Sequence, residues 1–383
     1  MTDSRRFLFL SCFSHFLVLS FFGGGMESSE SIRQDTGVIW GQMKIAIVGL
    51  GVAGSYLLDR LSESHDVTGY EMQKEGEFDA VCAWGTSKNE LKRIMKPLGI
   101  DFENYILFNG REMSVDLGNG SSRRIPLIGL VTYDKHRLEL DLTKGKKARF
   151  GVRASPSLLA SEDYDLVVDC TGLYRSFLPK PKEDLWVPCV EYKFDYKAAG
   201  LKTPFSDFYI KPFEGISGYF WYFPLEEGCA YVGAGDIHKN HNKFLEKFNR
   251  ENPGRVIKKI GRPIRVSPPK YCEPFYLGKV VGCGESIGTV FPLLGEGIIP
   301  SLQCAELLCD NLKDLPTYRE AVLKKFEYFN YVYEIIKLKL SRKFSMVRHL
   351  PLMLRTYREM KKMEDRFGLE VRMSDFRAIF SAY

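Results

Sequence analysis

Three glycines in the run "VGLGVAG", Gly49, Gly51 and Gly54, and a carboxylate further on at Glu71 are the residues whose types and spacing specify chemistry most directly. A β-branched run from Lys44 to Val48 precedes them and helical spacing follows from Ser55 to Ser62, so the order is strand, glycine turn, helix, strand, acid. In such a unit Gly49 permits the tight turn, Gly51 lets the backbone approach a pyrophosphate, and Gly54 lets the helix pack on the strand. The positive end of the helix then receives the pyrophosphate. An acid about 20 residues beyond the turn takes ribose hydroxyls and repels a 2′-phosphate. The ligand implied is a dinucleotide, FAD or NAD rather than NADP.

A second glycine cluster, Gly295-Glu296-Gly297 in "GTVFPLLGEGI", stands far downstream at the start of another helical stretch from Ile298. An NAD dehydrogenase needs no such return, whereas a two-domain flavoprotein leaves its FAD layer to build a substrate domain and comes back to finish the flavin site. Backbone N–H groups and the positive helix end at Gly295 to Ile298 would face the flavin ring or ribityl chain and stabilise reduced, anionic flavin. A plain loop-to-helix junction is the other reading of these residues.

The elements that must position these groups follow from pattern. "DYDLVVDCTG" reads as a buried strand closing on a small-residue turn at Gly172, and the section 187–278, rich in Tyr, Phe and Val with Pro and Gly breaks, predicts a mostly β domain. In it, "LEEGC" is a hairpin turn. The aromatic run "ISGYFWYFP" puts Tyr219, Trp221 and Phe223 on one strand face and Phe220 and Tyr222 on the other, so both faces need apolar cover. Beyond Leu315 the chain reads as helical to its end, with Val322, Phe326, Phe329, Tyr333, Ile336 and Leu340 on one stripe. The division expected is an extension at 1–42, a first FAD-layer segment at 43–185, a β-rich substrate domain at 186–278, a second FAD-layer segment at 279–312 and a basic helical region at 313–383.

The 383 residues, 45% apolar and 27% charged, suffice for a large buried core or two domains. Nine cysteines without a CxxC pair fit free thiols in a reducing compartment. His238 and His241 of "HKNH" lack Cys or carboxylate company and are expected in a surface loop, so no metal site is expected. The net charge of +6 is concentrated in one place: residues 321–363 carry eleven Lys or Arg against three Glu. That excludes a generally basic nucleic-acid binder and points to one local basic surface. Near the N-terminus, "RRFLFLSCFSHFLVLSFF" has the layout of a signal or anchor segment, yet no small-residue cleavage site follows it cleanly. Met43, directly before the first strand, is the expected functional start.

With these residues in view, the chain resembles the geranylgeranyl reductase family of FAD proteins, archaeal membrane-lipid members in particular, which are related to the aromatic hydroxylase flavoproteins. The resemblance covers Met43 to about Leu312 and rests on "VGLGVAG", on Cys82 in "VCAWG", on "DKHRLELDL", on "VVDCTG", on "YFWYFP" and on "GTVFPLLGEGI". It implies a two-domain FAD-binding α/β fold of Rossmann-like, hydroxylase type, with a β-rich substrate domain and a helical tail. Carried over by residue, Gly49, Gly51, Gly54 and Glu71 would hold the ADP half and Lys135 would occupy a basic position near the cofactor. Gly172, Gly284 and Glu285 would follow the flavin's linker, with Gly295, Gly297 and Ile298 beside the ring. Cys82 matches a cysteine near the flavin, either a proton donor or a buried structural thiol. Tyr219, Trp221, Phe223 and Pro224 match an aromatic motif lining the isoprenoid cavity, for which a doubly covered core strand is the alternative. The chain departs from the family pattern at Val52 and Ile216, where Pro is usual, at Lys135 in place of Arg, and at Glu285 in place of Asp. The longer Glu285 keeps an acceptor but must shift the ribityl geometry.

The activity implied is saturation of isolated double bonds in geranylgeranyl chains of ether lipids or their precursors. Electrons would come from NAD(P)H bound transiently or from a small redox protein, since no second dinucleotide unit is visible. The basic stripe from Lys324 to Lys362 suggests a cytoplasmic protein peripheral at an anionic membrane surface; an anchored or exported protein follows if the N-terminal segment is used. Rival functions are a flavin monooxygenase acting on an apolar aromatic or quinone, and an isoprenoid carrier that has lost flavin.

Overall fold

The computed structural model describes residues 41–78, 82–118 and 120–382. Lys44–Val48 lies at the centre of a six-stranded sheet, paired in parallel with Asp66–Tyr70 on one side and Leu166–Asp169 on the other. Ala148–Arg149 closes one edge, and Val280–Gly282 followed by Tyr276–Leu277 closes the other. Ile45, Ala46 and Ile47 are completely buried, as expected for a parallel strand covered on both faces. Gly49 adopts φ +91°, and the helix Val52–Leu61 leaves the turn at once. A Cβ on Gly54 would lie 1.8 Å from the Gly49 carbonyl oxygen, so only glycine lets this helix seat on its own turn. The helix then packs against Ile298–Asp310, which follows the second glycine cluster.

A seven-stranded sheet forms the second layer, in the order Arg255–Gly261, Cys189–Asp195, Cys229–Asp236, Gly218–Pro224, Phe208–Pro212, Glu112–Gly118, Ser121–Pro126. Its last two strands come from the 43–185 segment, Glu112–Gly118 running parallel to Phe208–Pro212. The composition of 187–278 gave no sign of this loan. The aromatic strand Gly218–Pro224 and Cys229–Asp236 form the hairpin expected around "LEEGC". Phe220 and Tyr222 join Phe194, Tyr196, Leu245 and Phe248 in a separate core beneath the helix His241–Glu251.

His238 is exposed, but His241 is not the surface residue expected from its polar neighbours. It is buried at the start of the helix His241–Glu251, whose apolar residues Phe244, Leu245 and Phe248 seat on the sheet, and burial lowers its pKa. No cluster of three or more His, Cys, Asp or Glu residues suited to a metal occurs among the described residues, and the eight described cysteines are free.

The C-terminal region is helical, in the pieces Leu315–Lys325, Glu327–Leu340, Leu350–Lys362, Glu364–Phe367 and Met373–Ala382. The predicted stripe breaks at Phe326, between two helices, and its residues from Val322 to Ile336 are buried whereas Leu340 is half-buried. The tail folds back on the body: the carbonyl of Gly368 accepts hydrogen bonds from the N–H groups of Ile128 and Leu130. Among the described residues no helix is long and apolar enough to cross a membrane; the signal-like segment at 5–22 lies outside them.

Candidate functional site

A cavity of about 1210 Å³ runs from the first glycine turn to the aromatic strand, larger than the roughly 300–1,000 Å³ of an ordinary ligand pocket. At the turn, nothing lies within 4 Å of the position a Cβ on Gly51 would take, so the backbone there is open to a ligand. The Glu71 carboxylate stands at the end of the second strand, accepting from the Leu50 N–H at 3.0 Å and the Gln73 N–H at 3.1 Å. Acceptor positions remain on it for hydroxyl donors. Gly49, Gly51 and Glu71 border the cavity, while Gly54 acts beneath it through the helix seat.

Lys135 opens the helix Lys135–Thr143, capped by the Asp134 side chain. Its Nζ lies 2.6 Å from Glu139 Oε1, both groups buried at the cavity wall. Burial pushes the Glu139 carboxyl up and Lys135 offsets that; Glu139 Oε2 has no partner. The basic position expected from sequence is therefore an ion pair.

Gly172, Gly284 and Glu285 meet where two loops cross the cavity. Glu285 Oε2 accepts from Arg262 Nη2 at 3.0 Å and Oε1 accepts from the Arg265 N–H at 2.9 Å. A Cβ on Gly172, which has φ +64°, would stand 2.5 Å from the Arg262 guanidinium and 2.9 Å from Glu285 Oε2. The extra methylene of Glu285 thus spans to Arg262 across a position that must be glycine.

At the second glycine cluster, Gly295 takes φ +59° and Glu296 Oε1 accepts the Ile299 N–H at 2.9 Å, capping the helix Ile298–Asp310. Glu296 Oε2 accepts from Arg366 of the C-terminal helix Glu364–Phe367. Burial raises the Glu296 pKa and Arg366 offsets it. The Arg366 guanidinium stacks 4.7 Å from the ring centre of Phe367, and its Nε and Nη1 are buried without partners.

Along the aromatic strand, Tyr219, Trp221 and Phe223 face the cavity, opposite in sense to Phe220 and Tyr222. The Tyr219 hydroxyl donates to the Leu294 carbonyl, tying the strand to the second glycine loop. Trp221 Nε1 donates to Glu191 Oε2 at 3.0 Å across the intervening strand, where a Cβ on Gly233 would come within 2.3 Å of the indole. Pro224 does not border the cavity; its carbonyl accepts from Thr132 Oγ1 at 2.6 Å. Cys82 does border it, and burial pushes its thiol up to about 11, with Lys135 pulling the other way. It holds a proton at neutral pH and is not a thiolate nucleophile.

Sequence reasoning missed Glu139, Glu191, Arg262 and Arg366. Glu191 had a signal: in "CVEYKFD" the residues Val190, Tyr192 and Phe194 alternate towards the outer core, which leaves Cys189 and Glu191 facing the cavity. Arg366 had none, because its partner is 70 residues away.

No protein-family model matches the chain. Among curated proteins it is 25% identical over 334 residues to an uncharacterized protein of Methanocaldococcus jannaschii, covering 75% of this chain and 87% of the other. It is 29% identical over 141 residues to digeranylgeranylglycerophospholipid reductase 2 of Methanothermobacter thermautotrophicus, a match spanning 36% of this chain and 34% of the reductase. Among solved structures, a geranylgeranyl bacteriochlorophyll reductase-like protein of Thermoplasma acidophilum superposes with TM-score 0.59 at 15% identity, over 85% of this chain and all of the other. A tryptophan 6-halogenase from Streptomyces toxytricini superposes with TM-score 0.60 at 16% identity, over 88% of this chain and 90% of the other. The chain has the fold of the FAD-dependent geranylgeranyl reductases and hydroxylases.

Within that flavoprotein fold, the residues present suit an FAD. The open backbone at Gly51 suits a pyrophosphate, Glu71 offers acceptors to a ribose, and the Gly295–Gly297 loop brings a helix N-terminus to the middle of the cavity. The Glu285–Arg262 pair is the feature an incoming ribityl chain would have to share.

Proposed function

We propose that the chain is an FAD-dependent reductase that saturates double bonds in geranylgeranyl chains, of archaeal-type ether lipids or their precursors. The observation that carries this reading is the continuity of one cavity from the Gly49–Gly54 turn to the aromatic wall of Tyr219, Trp221 and Phe223. Gly49, Gly51 and Glu71 would hold the ADP half, Lys135, Gly172, Gly284 and Glu285 the linker, and Gly295, Gly297 and Ile298 the ring. Bound and reduced, the flavin supplies a hydride equivalent. The aromatic residues orient an apolar chain and exclude water, which an unactivated alkene requires. The curated reductases are named for acting on digeranylgeranylglycerophospholipid, which supports the substrate class.

The lipid reading also draws on the surface. The turn after Glu327–Leu340 exposes Val347 at 87%, with Leu350, Arg342, Lys343 and Arg348 exposed around it. Ile336, one helical turn before the end of that helix, borders the cavity. An apolar tip ringed by cations suits an anionic bilayer surface from which a prenyl lipid would enter.

The test is the visible spectrum of protein expressed from Met43, before and after anaerobic dithionite, followed by addition of geranylgeranyl lipid. Flavin bands that bleach, recover on adding lipid, and leave a product heavier by two hydrogens per bond support the reductase. Hydroxylated product or peroxide in air without alkene saturation would instead mark a monooxygenase. Protein that stays colourless and takes up no FAD refutes both. Full activity in a Cys82→Ala variant removes that thiol as proton donor.

A further inference from the structure

Adding a hydride to one carbon of an isolated double bond leaves the other carbon needing a proton, so the cavity must hold an acid that is still protonated when substrate arrives. The carboxyls bordering the cavity differ in how they are held. Glu71 receives two backbone N–H groups, Glu139 is paired with Lys135, Glu285 with Arg262 and Glu296 with Arg366. Each of these carboxyls thus has a positive partner for its charge, although burial still pushes those of Glu139 and Glu296 up. Glu191 has neither a cation nor a backbone N–H on its carboxyl: it is 4% exposed, receives only the Trp221 indole N–H on Oε2, and its Oε1 has no partner.

We infer that Glu191 is the acid that protonates the substrate double bond, an assignment that rests on the reductase function proposed above. Its place in the sheet fits. Glu191 stands opposite Gly233 in register, Gly233 stands opposite Trp221, and Glu191, Tyr219, Trp221 and Phe223 all border the cavity. The indole fixes Oε2 as an acceptor, which leaves Oε1 to carry the proton. An alkene is only a weak hydrogen-bond acceptor, so an acid without a competing acceptor suits it.

The groups around Glu191 keep it neutral. Cys189 on its own strand, Tyr231 on the next, Tyr219 on the aromatic strand and Cys82 from the loop before Gly85–Ser87 all feel its charge and are themselves raised by burial. Lys193, two residues along, lies over the rings of Trp84 and Tyr231, with Lys258 opposite it in register. Burial holds the Glu191 carboxyl at about 8, the indole pulling it down, against about 11 for Cys82. Both are protonated at neutral pH, and the carboxyl is roughly a thousandfold the stronger acid.

The step balances. One alkene carbon gains hydrogen with the electron pair from reduced flavin, the other gains the Oε1 proton, the π bond is consumed, and Glu191 is left as a carboxylate that solvent reprotonates once product leaves.

The experiment follows reoxidation of pre-reduced flavin on mixing with geranylgeranyl lipid, in wild type and in Glu191→Gln, which retains an acceptor for the indole. Lipid affinity is measured alongside, and infrared spectra of the flavin-free proteins are scanned for a protonated carboxyl band. The expected results are a loss of about 100-fold or more in the reoxidation rate of Glu191→Gln with affinity kept, and a wild-type rate that falls as pH rises through about 8. The wild-type protonated-carboxyl band, absent from the variant, should vanish over the same pH range. A Glu191→Gln rate within about twofold of wild type, or no band assignable to Glu191 below pH 7, overturns the donor role alone. Wild-type protein that takes up FAD and leaves the lipid unreduced overturns the function and the donor role together.

Discussion

Replacing Glu191 by Gln should reverse sign in its effect on stability as pH rises. In the native state the carboxyl titrates at about 8 against an ordinary 4.5, because burial opposes its ionisation. Between those values the folded protein holds a proton that the unfolded chain has released, so stability falls with rising pH. The stabilising contribution is complete below about pH 4.5 and is lost as pH climbs to about 8. At about 1.36 kcal/mol per unit, the swing approaches ~5 kcal/mol, of which roughly 3 is gone by pH 7. Gln carries no such dependence. Its amide brings two donors where the acid had one, and leaving a buried donor unpaired costs about 1–3 kcal/mol at every pH. Urea denaturation of the flavin-free proteins at pH 5, 7 and 9 should find wild type the more stable at pH 5 and Glu191→Gln the more stable at pH 9, with equal m-values. Curves that stay parallel across this range would refute the reasoning, because they would mean that Glu191 ionises in the native state as readily as in the unfolded chain.

Three other outcomes follow from the geometry. Gly51→Val directs its side chain into the open space above the turn and should abolish FAD uptake while leaving the melting temperature of flavin-free protein near wild type, whereas Gly54→Ala collides with the Gly49 carbonyl and should lower stability by ~1–3 kcal/mol with or without flavin. Arg366→Met leaves Glu296 buried without its cation and should cost about 3–5 kcal/mol in denaturant melts at neutral pH, less in acid where Glu296 takes up a proton. Combining Arg342→Glu, Val347→Asp and Arg348→Glu should abolish co-sedimentation with anionic vesicles and leave the melting curve unchanged, since all three side chains are exposed; binding that persists would place the membrane surface elsewhere.

Local patterns were legible in the sequence and distant pairings were not. The nucleotide layer could be read because strand, turn, helix and acid lie within one short stretch and each glycine answers a local requirement, as the 1.8 Å approach at Gly54 illustrates. The two faces of the aromatic strand were readable from alternation alone. Glu112–Gly118 and Ser121–Pro126 were not assigned to the second sheet, because pairing with Phe208–Pro212 depends on a crossover that no local residue announces. Cofactor-side residues were found only as single positions: Lys135 and Glu285 were singled out, but their partners Glu139 and Arg262 change what each contributes. His241 was misjudged because its polar neighbours hid the amphipathic helix that begins with it.

The electrostatics of the cavity wall bear on which flavin chemistry it suits. Four cations border the cavity, of which Lys135, Arg262 and Arg366 each have a carboxylate against them while Arg153 stands by the loop that follows Glu71, and the acid beside Trp221 is neutral near pH 7. A substrate carrying its own carboxylate or phenolate into the aromatic end would need a cation there. Lys193, two residues along the strand from Glu191, is engaged with the Trp84 and Tyr231 rings. Tyr219, Trp221 and Phe223 therefore offer a long apolar guest dispersion and shape but no counter-charge, which an uncharged prenyl chain does not require. The same neutrality bears on the chemistry: with no counter-charge at the aromatic end, what this wall offers an alkene is a proton, held on the acid proposed at Glu191.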